Sequence, residues 1–483
     1  MSNWEKVEKL AKEILGDAAP KPKNLSIVEA AIIPELGKRQ QKKYTSFAVL
    51  LKDIEVLPEY EFIFQALQQG CPSIFVTGKA GTGKSTLIQW LCQKLEGCAV
   101  VAPTAIAATN VQGDTIHSFF GLPPVHIDPD DEFHPKEKSR LVLENIHFLI
   151  VDEVSMVLPN MVDAMSNILK SVRRNNLPFG GVPTIFIGDL FQLPPVVSSQ
   201  EEVVYFSHRY KSHHFYSADV FKEQQIIPVN LTKVRRQTDV EFIEALNHIR
   251  LNDNCREHVA LFNRRCFRDK PEGSAEGSAE GIYLVPTNVA AKKINTRELD
   301  ALPGNVQIYE ATVTGNLPAS KWKLNVSDRL ELKVGAKVIF LKNNKPQWIN
   351  GDLGEVVGVE HDHIRVKKQN SDNVLLVGTE TWGKYKYTYD YETRKIERLE
   401  VGSFKQLPVA LGWAITIHKS QGLTIEDLIL DLGNGAFCEG QTYVALSRAK
   451  SIEGITLTKP ISMNDVKVDD AVRAFYRHMG IEQ

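Results

Sequence analysis

Apolar positions recur along this chain at two periods, and the switch between them divides it. Trp4, Val7, Leu10, Ala11, Ile14 and Leu15 return every three or four residues, which predicts an amphipathic helix over 2–17. Prolines in Ala18–Lys23 break the pattern, and residues 1–56 form an N-terminal segment with no assigned role. Short apolar runs at Ser73–Thr77, Ala99–Ala102, Phe148–Val151 and Thr184–Ile187 are separated by helical stretches. A second set has a helix near Val240–Ile249 and strands at Ile282–Val285, Leu428–Leu432 and Ile455–Leu457. Strands alternating with helices predict an α/β fold of parallel sheets covered by helices. From Lys333 to Leu411 the period shortens to two, with turns at Gly351–Gly354 and the run KYKYTYDYE. That segment predicts short antiparallel strands in a small barrel-like insertion. Glu272–Gly281, EGSAEGSAEG, predicts a flexible surface loop. The expected division is a first domain at 57–230, a second at 231–332 with 412–483, and an insertion at 333–411.

Composition narrows the class without naming a partner. The 483 residues are 43% hydrophobic and 24% charged, with a formal net charge of -2. Any nucleic-acid contact must therefore come from a local groove. None of the six cysteines forms a CxxC pair, so a zinc or disulfide framework is not expected, and a reduced intracellular compartment is. No signal-peptide core or bilayer-length apolar run is present, so no membrane role is expected.

Gly78–Ser85, GKAGTGKS, lies between an apolar strand and a helical stretch, as a P-loop requires. Its glycines let backbone N–H groups wrap phosphates. The expected phosphate contacts are Gly78, Ala80, Gly81, Thr82, Gly83, Lys84, Ser85 and Thr86, with Lys84 on the β- and γ-phosphates. LIVDEVSM at Leu149–Met156 ends a strand in two acids. Asp152 with Ser85 would hold Mg2+, and Glu153 would activate the attacking water of an ATP hydrolase. Phosphoryl transfer also needs arginines; Arg235, Arg236 and Arg448 are open candidates at this point.

Further motifs fall in one order: APTAIAA (Ala102–Ala108), TIHSFF (Thr115–Phe120), GDLFQLPPV (Gly188–Val196), VRRQ (Val234–Gln237), AITIHKSQGLT (Ala414–Thr424) and YVALSRA (Tyr443–Ala449). The series resembles the PIF (petite-integration-frequency) family of 5′-to-3′ DNA helicases, on branch B of superfamily 1, with RecD-like enzymes as cousins. The resemblance implies two RecA-like P-loop domains with ATP between them, a small SH3-like insertion called 2B, and a short wedge or pin, 1B, near 121–140. It implies Gln192 as γ-phosphate sensor, Arg236 as arginine finger and Arg448 as second arginine, with Gln421 and Gly422 near the phosphates. It places Thr104, His117 and Phe119 on a DNA track in one domain, and Thr287, Asn288, His418, Lys419 and Ser420 in the other. Phe119 and His418 also have an ordinary reading as core residues, and the 121–140 segment as a plain surface loop. The implied partners are single-stranded DNA and duplex junctions, with G-quadruplexes a further candidate, met by a chain that is monomeric or dimerises weakly on DNA. Repair, recombination, replication and telomere maintenance are the implied settings, inside the cell and, if the source is bacterial, in the cytoplasm or nucleoid. One departure is the adenine-reading glutamine of the family, absent here near Glu61.

Three rivals remain at this stage. A GTPase would need Asn-Lys-x-Asp, and Asn344–Gln347 lacks the aspartate. A DNA-binding module that uses ATP as a switch would not need Glu153, Gln192, Arg236 and Arg448 together. An ATPase subunit of a larger assembly would show no trace of its partners here.

Overall fold

The computed structural model describes residues 55–481 apart from 124–126, 198–199, 238, 268–280, 316–325, 391–394 and positions 343, 345, 346, 349, 370 and 372. The helix expected over 2–17, and the EGSAEGSAEG run up to Gly281, lie outside the described residues.

The first domain is built on six parallel strands: β1 Ser73–Gly78, β2 Cys98–Ala102, β3 Asp114–Thr115, β4 Phe148–Val151, β5 Thr184–Ile187 and β6 Ile227–Leu231. Their order is β3-β2-β4-β5-β1-β6. Helices cover both faces, so the strands read as continuous apolar runs. Alternate residues serve two cores. Phe75, Ala99, Val101, Leu149, Val151 and Phe186 face one, and Ile74, Val76, Val100, Ile150, Ile185 and Ile187 face the other. The pattern missed β3, which has two residues, and β6, which contains Pro228. β6 pairs only with β1, so the proline sits on an edge strand, where it is tolerated.

The second sheet starts with β7 Ile282–Val285. The chain then makes antiparallel strands β8 Gln307–Glu310, β9 Thr312–Gly315, β10 Arg329–Leu332, β11 Lys337–Phe340, β12 Leu353–Val359, β13 His363–Lys368, β14 Val374–Gly378, β15 Glu380–Asp390, β16 Lys395–Gln406 and β17 Val409–Leu411. It returns with β18 Ala414–Thr416, β19 Leu428–Leu430 and β20 Ile455–Leu457, giving a parallel sheet ordered β18-β7-β19-β20. The inserted strands form sheets β14-β13-β12-β11-β17 and β15-β16-β9 and the pair β10-β8. Tyr309, Leu330 and Leu332 share one apolar cluster with Val338, Phe340, Val356 and Ile364. The β-rich segment therefore starts at Gln307, earlier than the change of period at Lys333.

The C-terminal helix Asp470–His478 packs on the first domain, although 412–483 was expected to belong wholly to the second. Val472, Tyr476 and Ile481 join the first core. The Tyr476 hydroxyl lies 2.5 Å from Thr77 Oγ1 and accepts from Leu190 N at 3.3 Å. Phe475 stacks on Tyr216 at 4.0 Å, and His214 Nε2 meets Asp469 Oδ2 at 2.8 Å. Neither this helix nor the core it joins was anticipated from the sequence. None of the six cysteines is in a disulfide, and no described helix is long and apolar enough to cross a membrane.

Candidate active site

β1 delivers the P-loop to the carboxyl edge of the first sheet, where open α/β sheets bind ligands. Gly81 and Gly83 have φ of 80° and 94°, the left-handed region that favours glycine. A Cβ on Gly81 would also lie 2.6 Å from Arg236 Cβ, so the second domain's chain touches the loop here. Gly83 caps the helix Lys84–Lys94, whose first turn carries Ser85 and Thr86. Lys84 Nζ donates to the carbonyls of Gly78 at 2.7 Å and Lys79 at 3.0 Å; Thr82 Oγ1 donates to Lys79 O at 3.0 Å. Tyr60, beside Glu61 where the family's glutamine is absent, is buried and donates to Gly83 O at 2.8 Å.

β4 ends at the two acids. Asp152 is buried, and its N–H donates to Val101 O at 2.8 Å. Glu153 has φ 48° and ψ 44°. A non-glycine residue held there costs roughly 1–3 kcal/mol, and such strain collects at functional sites. Burial, then the Glu153 charge, pushes the Asp152 carboxyl up to about 8. Burial also raises Glu153, against the pull of Lys84 and Arg448. The donor set fits Mg2+: a serine hydroxyl and a carboxylate are hard oxygen ligands, and a dication relieves two crowded, buried acids.

The second domain closes the site. Gln421 Nε2 donates to Glu153 Oε2 at 3.2 Å and to Gln192 Oε1 at 3.3 Å, joining three predicted residues across the cleft. Gly422 has φ 84°, and a Cβ there would meet Asn110 Nδ2 of the first domain at 3.5 Å. Arg236 Nη1 donates to Ser447 O at 3.1 Å, and Arg448 donates to Val444 O at 2.9 Å and Ser447 Oγ at 2.7 Å. Burial, then the Arg236 charge, pulls Arg448 down to about 9. The Glu153 charge acts on both arginines. Arg235 instead pairs with Glu55 at 2.9 Å, so of the three arginines it is the one turned away.

Thr104 and Thr287 each cap the helix that follows a parallel strand, accepting from the N–H three residues on at 3.2 Å. Asn288 and Lys419 line one groove of about 570 Å³ with Lys292, Asn295 and Thr416. His117 and His418 are half-buried. Two expectations need correction. Phe119 is only 5% exposed and packs in the first core edge-on to Phe120, so it has no face to offer a strand. Ser420 is fully buried, its hydroxyl donating to Ile417 O at 2.7 Å while its carbonyl accepts from Arg448. It positions an arginine rather than facing DNA.

Sequence reasoning missed Phe437, Tyr443, Asp189 and Arg250. Phe437 is 58% exposed, and its ring lies 6.4 Å from that of His418 at 13°. Its loop is braced: Phe437 N donates to Gln441 Oε1 at 3.0 Å and Ala436 N to Asp465 Oδ1 at 2.9 Å. An aromatic flanked by glycines in GNGAFCEG was the available signal. In the 121–140 segment, Ile127 is buried and its carbonyl accepts from Asn160 at 2.6 Å, while Asp128, Asp130, Asp131 and Glu132 are exposed. Pro124 lies outside the described residues.

A family model described as PIF1-like helicase matches residues 59–259. The ATP-dependent DNA helicase Pif1 of Bdellovibrio bacteriovorus is 30% identical over 436 residues, which span 88% of this chain and 92% of that protein. Pif1 from Bacteroides sp in complex with ADP-AlF4 matches with a TM-score of 0.81 at 35% identity, covering 89% of this chain and 98% of that one. Bacteroides Pif1 bound to ssDNA matches at 0.63 and 36% identity, covering 88% and 97%. Built on two RecA-like domains and matched over most of its length by these helicases, this chain belongs to the PIF1-like family of ATP-dependent DNA helicases.

Proposed function

We propose that this helicase moves 5′ to 3′ along single-stranded DNA, driven by ATP hydrolysis at the cleft between its RecA-like domains. The observation that carries this reading is Gln421, one amide from the second domain bonded to both Glu153 and Gln192 of the first. A group that touches both residues ties the state of the γ-phosphate to the spacing of the domains.

In this reading Lys84 and the P-loop amides hold the phosphates, and Glu153 takes the proton of the attacking water. Gln192 orients the γ-phosphate, while Arg236 and Arg448 oppose the charge that builds on its oxygens. Ser85 and Asp152 hold Mg2+, which supplies charge neutralisation when bound. Hydrolysis weakens the Gln421 and arginine contacts and lets the domains part. Thr104 and His117 grip the strand on one side; Thr287, Asn288, His418 and Lys419 grip it on the other. Phe437 adds a stacking face beside His418, as sequence-independent strand binding uses. The single-stranded DNA held by the Bacteroides relative supports this track. The β-rich insertion from Gln307 to Leu411 acts as the 2B subdomain, and the 121–140 segment, anchored at Ile127, as the pin.

The direction rests on the motif series TIHSFF, IHKSQG and YVALSRA. The test is unwinding of partial duplexes with ATP and Mg2+. A 5′ single-stranded tail should support strand separation and a 3′ tail alone should not. Efficient unwinding from the 3′ tail alone would overturn the direction and leave the ATPase assignment standing.

A further inference from the structure

Asp189 follows Gly188 at the end of β5 and is completely buried. It lies three residues before Gln192, on the loop proposed to sense the γ-phosphate. Burying an ionised carboxylate is costly unless charge and hydrogen bonds compensate it. The compensation comes from the other domain. Arg250, on the helix Val240–Leu251, donates from Nε to both Asp189 oxygens at 3.2 Å and from Nη2 to Oδ1 at 2.8 Å. That helix belongs to the second core through Phe242, Leu246 and Ile249. The Arg250 guanidinium is itself buried and lies 4.4 Å over the Phe191 ring. Tyr443 donates to Asp189 Oδ2 at 3.4 Å while its hydroxyl accepts from the P-loop N–H of Ala80 at 2.9 Å. The Phe191 N–H donates to Oδ1 at 3.2 Å.

The Asp189 charge also acts on a second cation, the half-buried Lys84. Burial opposes the Lys84 ammonium, and the Asp189 charge is the largest influence that holds it charged. Burial would likewise raise Asp189, but Arg250 and Lys84 together keep it ionised. Of these two cations Arg250 is the one bonded to Asp189, and its planar fork holds the carboxylate in a multidentate grip. Lys84 is left to the P-loop carbonyls, where it can turn to an incoming phosphate.

We propose that Arg250 is a positioning residue for ATP hydrolysis: it saturates Asp189 and so keeps Lys84 available to the nucleotide phosphates. The role rests on the reading of Lys84 as the phosphate-binding lysine. Without Arg250, Asp189 becomes a buried, unpaired anion beside Lys84 and captures it. Phosphate binding then has to break a new ion pair, so affinity falls along with turnover. Arg250 bonds Asp189 and acts through it.

The experiment compares Arg250→Gln, Asp189→Asn, the double variant and Arg250→Lys, using steady-state ATPase and binding of a fluorescent ADP. Circular dichroism establishes that each is folded. Arg250→Gln should weaken ADP binding and lower kcat/KM by on the order of tenfold or more. The double variant removes the anion with its partner and should recover ADP affinity to within about threefold of the parent. A residue that merely props up the fold would show the same recovery in chemical denaturation, since removing both partners of a buried ion pair costs less than removing one, but would leave the ADP affinity of folded Arg250→Gln unchanged. Arg250→Lys keeps the charge without the fork and should lose some ADP affinity but less than Arg250→Gln, and the double variant keeps the idea testable if Arg250→Gln does not fold. Unchanged ADP affinity in Arg250→Gln, no recovery in the double variant, or a loss in Arg250→Lys as large as in Arg250→Gln would each overturn the proposal. Lys84→Ala is the separate control: if it binds ADP normally, the reading of Lys84 itself fails.

Discussion

Glu153 bears two costs at once: a left-handed backbone and a carboxyl that burial pushes toward its protonated form. Neither helps the fold, so the position answers to chemistry. Glu153→Gln keeps the side-chain shape but removes the proton acceptor. ATP binding should persist while steady-state turnover falls by roughly 10²-fold or more. Normal turnover in a phosphate-release assay would remove Glu153 from the mechanism. The arginines give a sharper contrast. Arg236→Ala should cost roughly 10³–10⁵ in kcat, the range of an arginine finger. Arg235→Ala should leave kcat nearly unchanged, because its guanidinium pairs with exposed Glu55. The reverse order would shift the motif register by one. The P-loop and the acid pair were legible in sequence because each is a local event: a strand, a turn, a helix start. The choice between Arg235 and Arg236 came only from resemblance, since adjacent arginines differ in what they face, and facing is tertiary. Tyr443 was not legible at all: it meets Ala80 across 363 positions of chain.

At the scale of elements, the parallel strands were plain because strands buried on both faces are uninterrupted apolar runs. β8 to β10 escaped because each has only four residues and an exposed, polar face that carries little apolar pattern. The C-terminal helix shows a different limit. Its periodicity names a buried stripe but not the surface that buries it. That docking rests partly on Asp469, which His214 holds below the usual carboxylate range. A lowered carboxyl adds stability that is complete above its ordinary titration range and is lost as pH falls through the lowered value. Asp469→Asn should therefore lower stability by about 1 kcal/mol at neutral pH, the weak end for a charged hydrogen bond, since the carboxylate is partly solvated. The difference from the parent should shrink as pH drops below about 4 and vanish only once pH has fallen through the lowered value, where the native carboxyl protonates too. Chemical denaturation across pH reads this, and a gap that persists in acid would assign the effect to something other than charge.

At the scale of the whole molecule, the two domains present the strand with related devices. APTAIAA and VPTNVAA each place a threonine at the cap of the helix after a parallel strand, Thr104 on one side and Thr287 on the other. A motor needs two such grips whose spacing changes with the cleft, and Gln421 links that spacing to Glu153 and Gln192. The grips and the phosphates are separate sets of residues, so they can be damaged separately. Lys419→Ala and Phe437→Ala should each weaken binding to an oligonucleotide, the aromatic by about 1–3 kcal/mol as for other bases stacked on a ring. Both should reduce DNA-stimulated ATPase while leaving basal ATPase near the parent value, because neither side chain bonds to a P-loop or acid-pair residue. The two should differ in salt. A lysine on a phosphate releases a counterion, so Lys419→Ala should flatten the dependence of log affinity on log salt by about 0.7, the single-strand value per contact. Phe437→Ala should lower affinity at every salt concentration without changing the slope, since stacking on a base releases none. Fluorescence anisotropy over a salt series measures both. A slope change in Phe437→Ala but not in Lys419→Ala would exchange their roles; stimulated ATPase that tracks basal ATPase in both would take them off the strand.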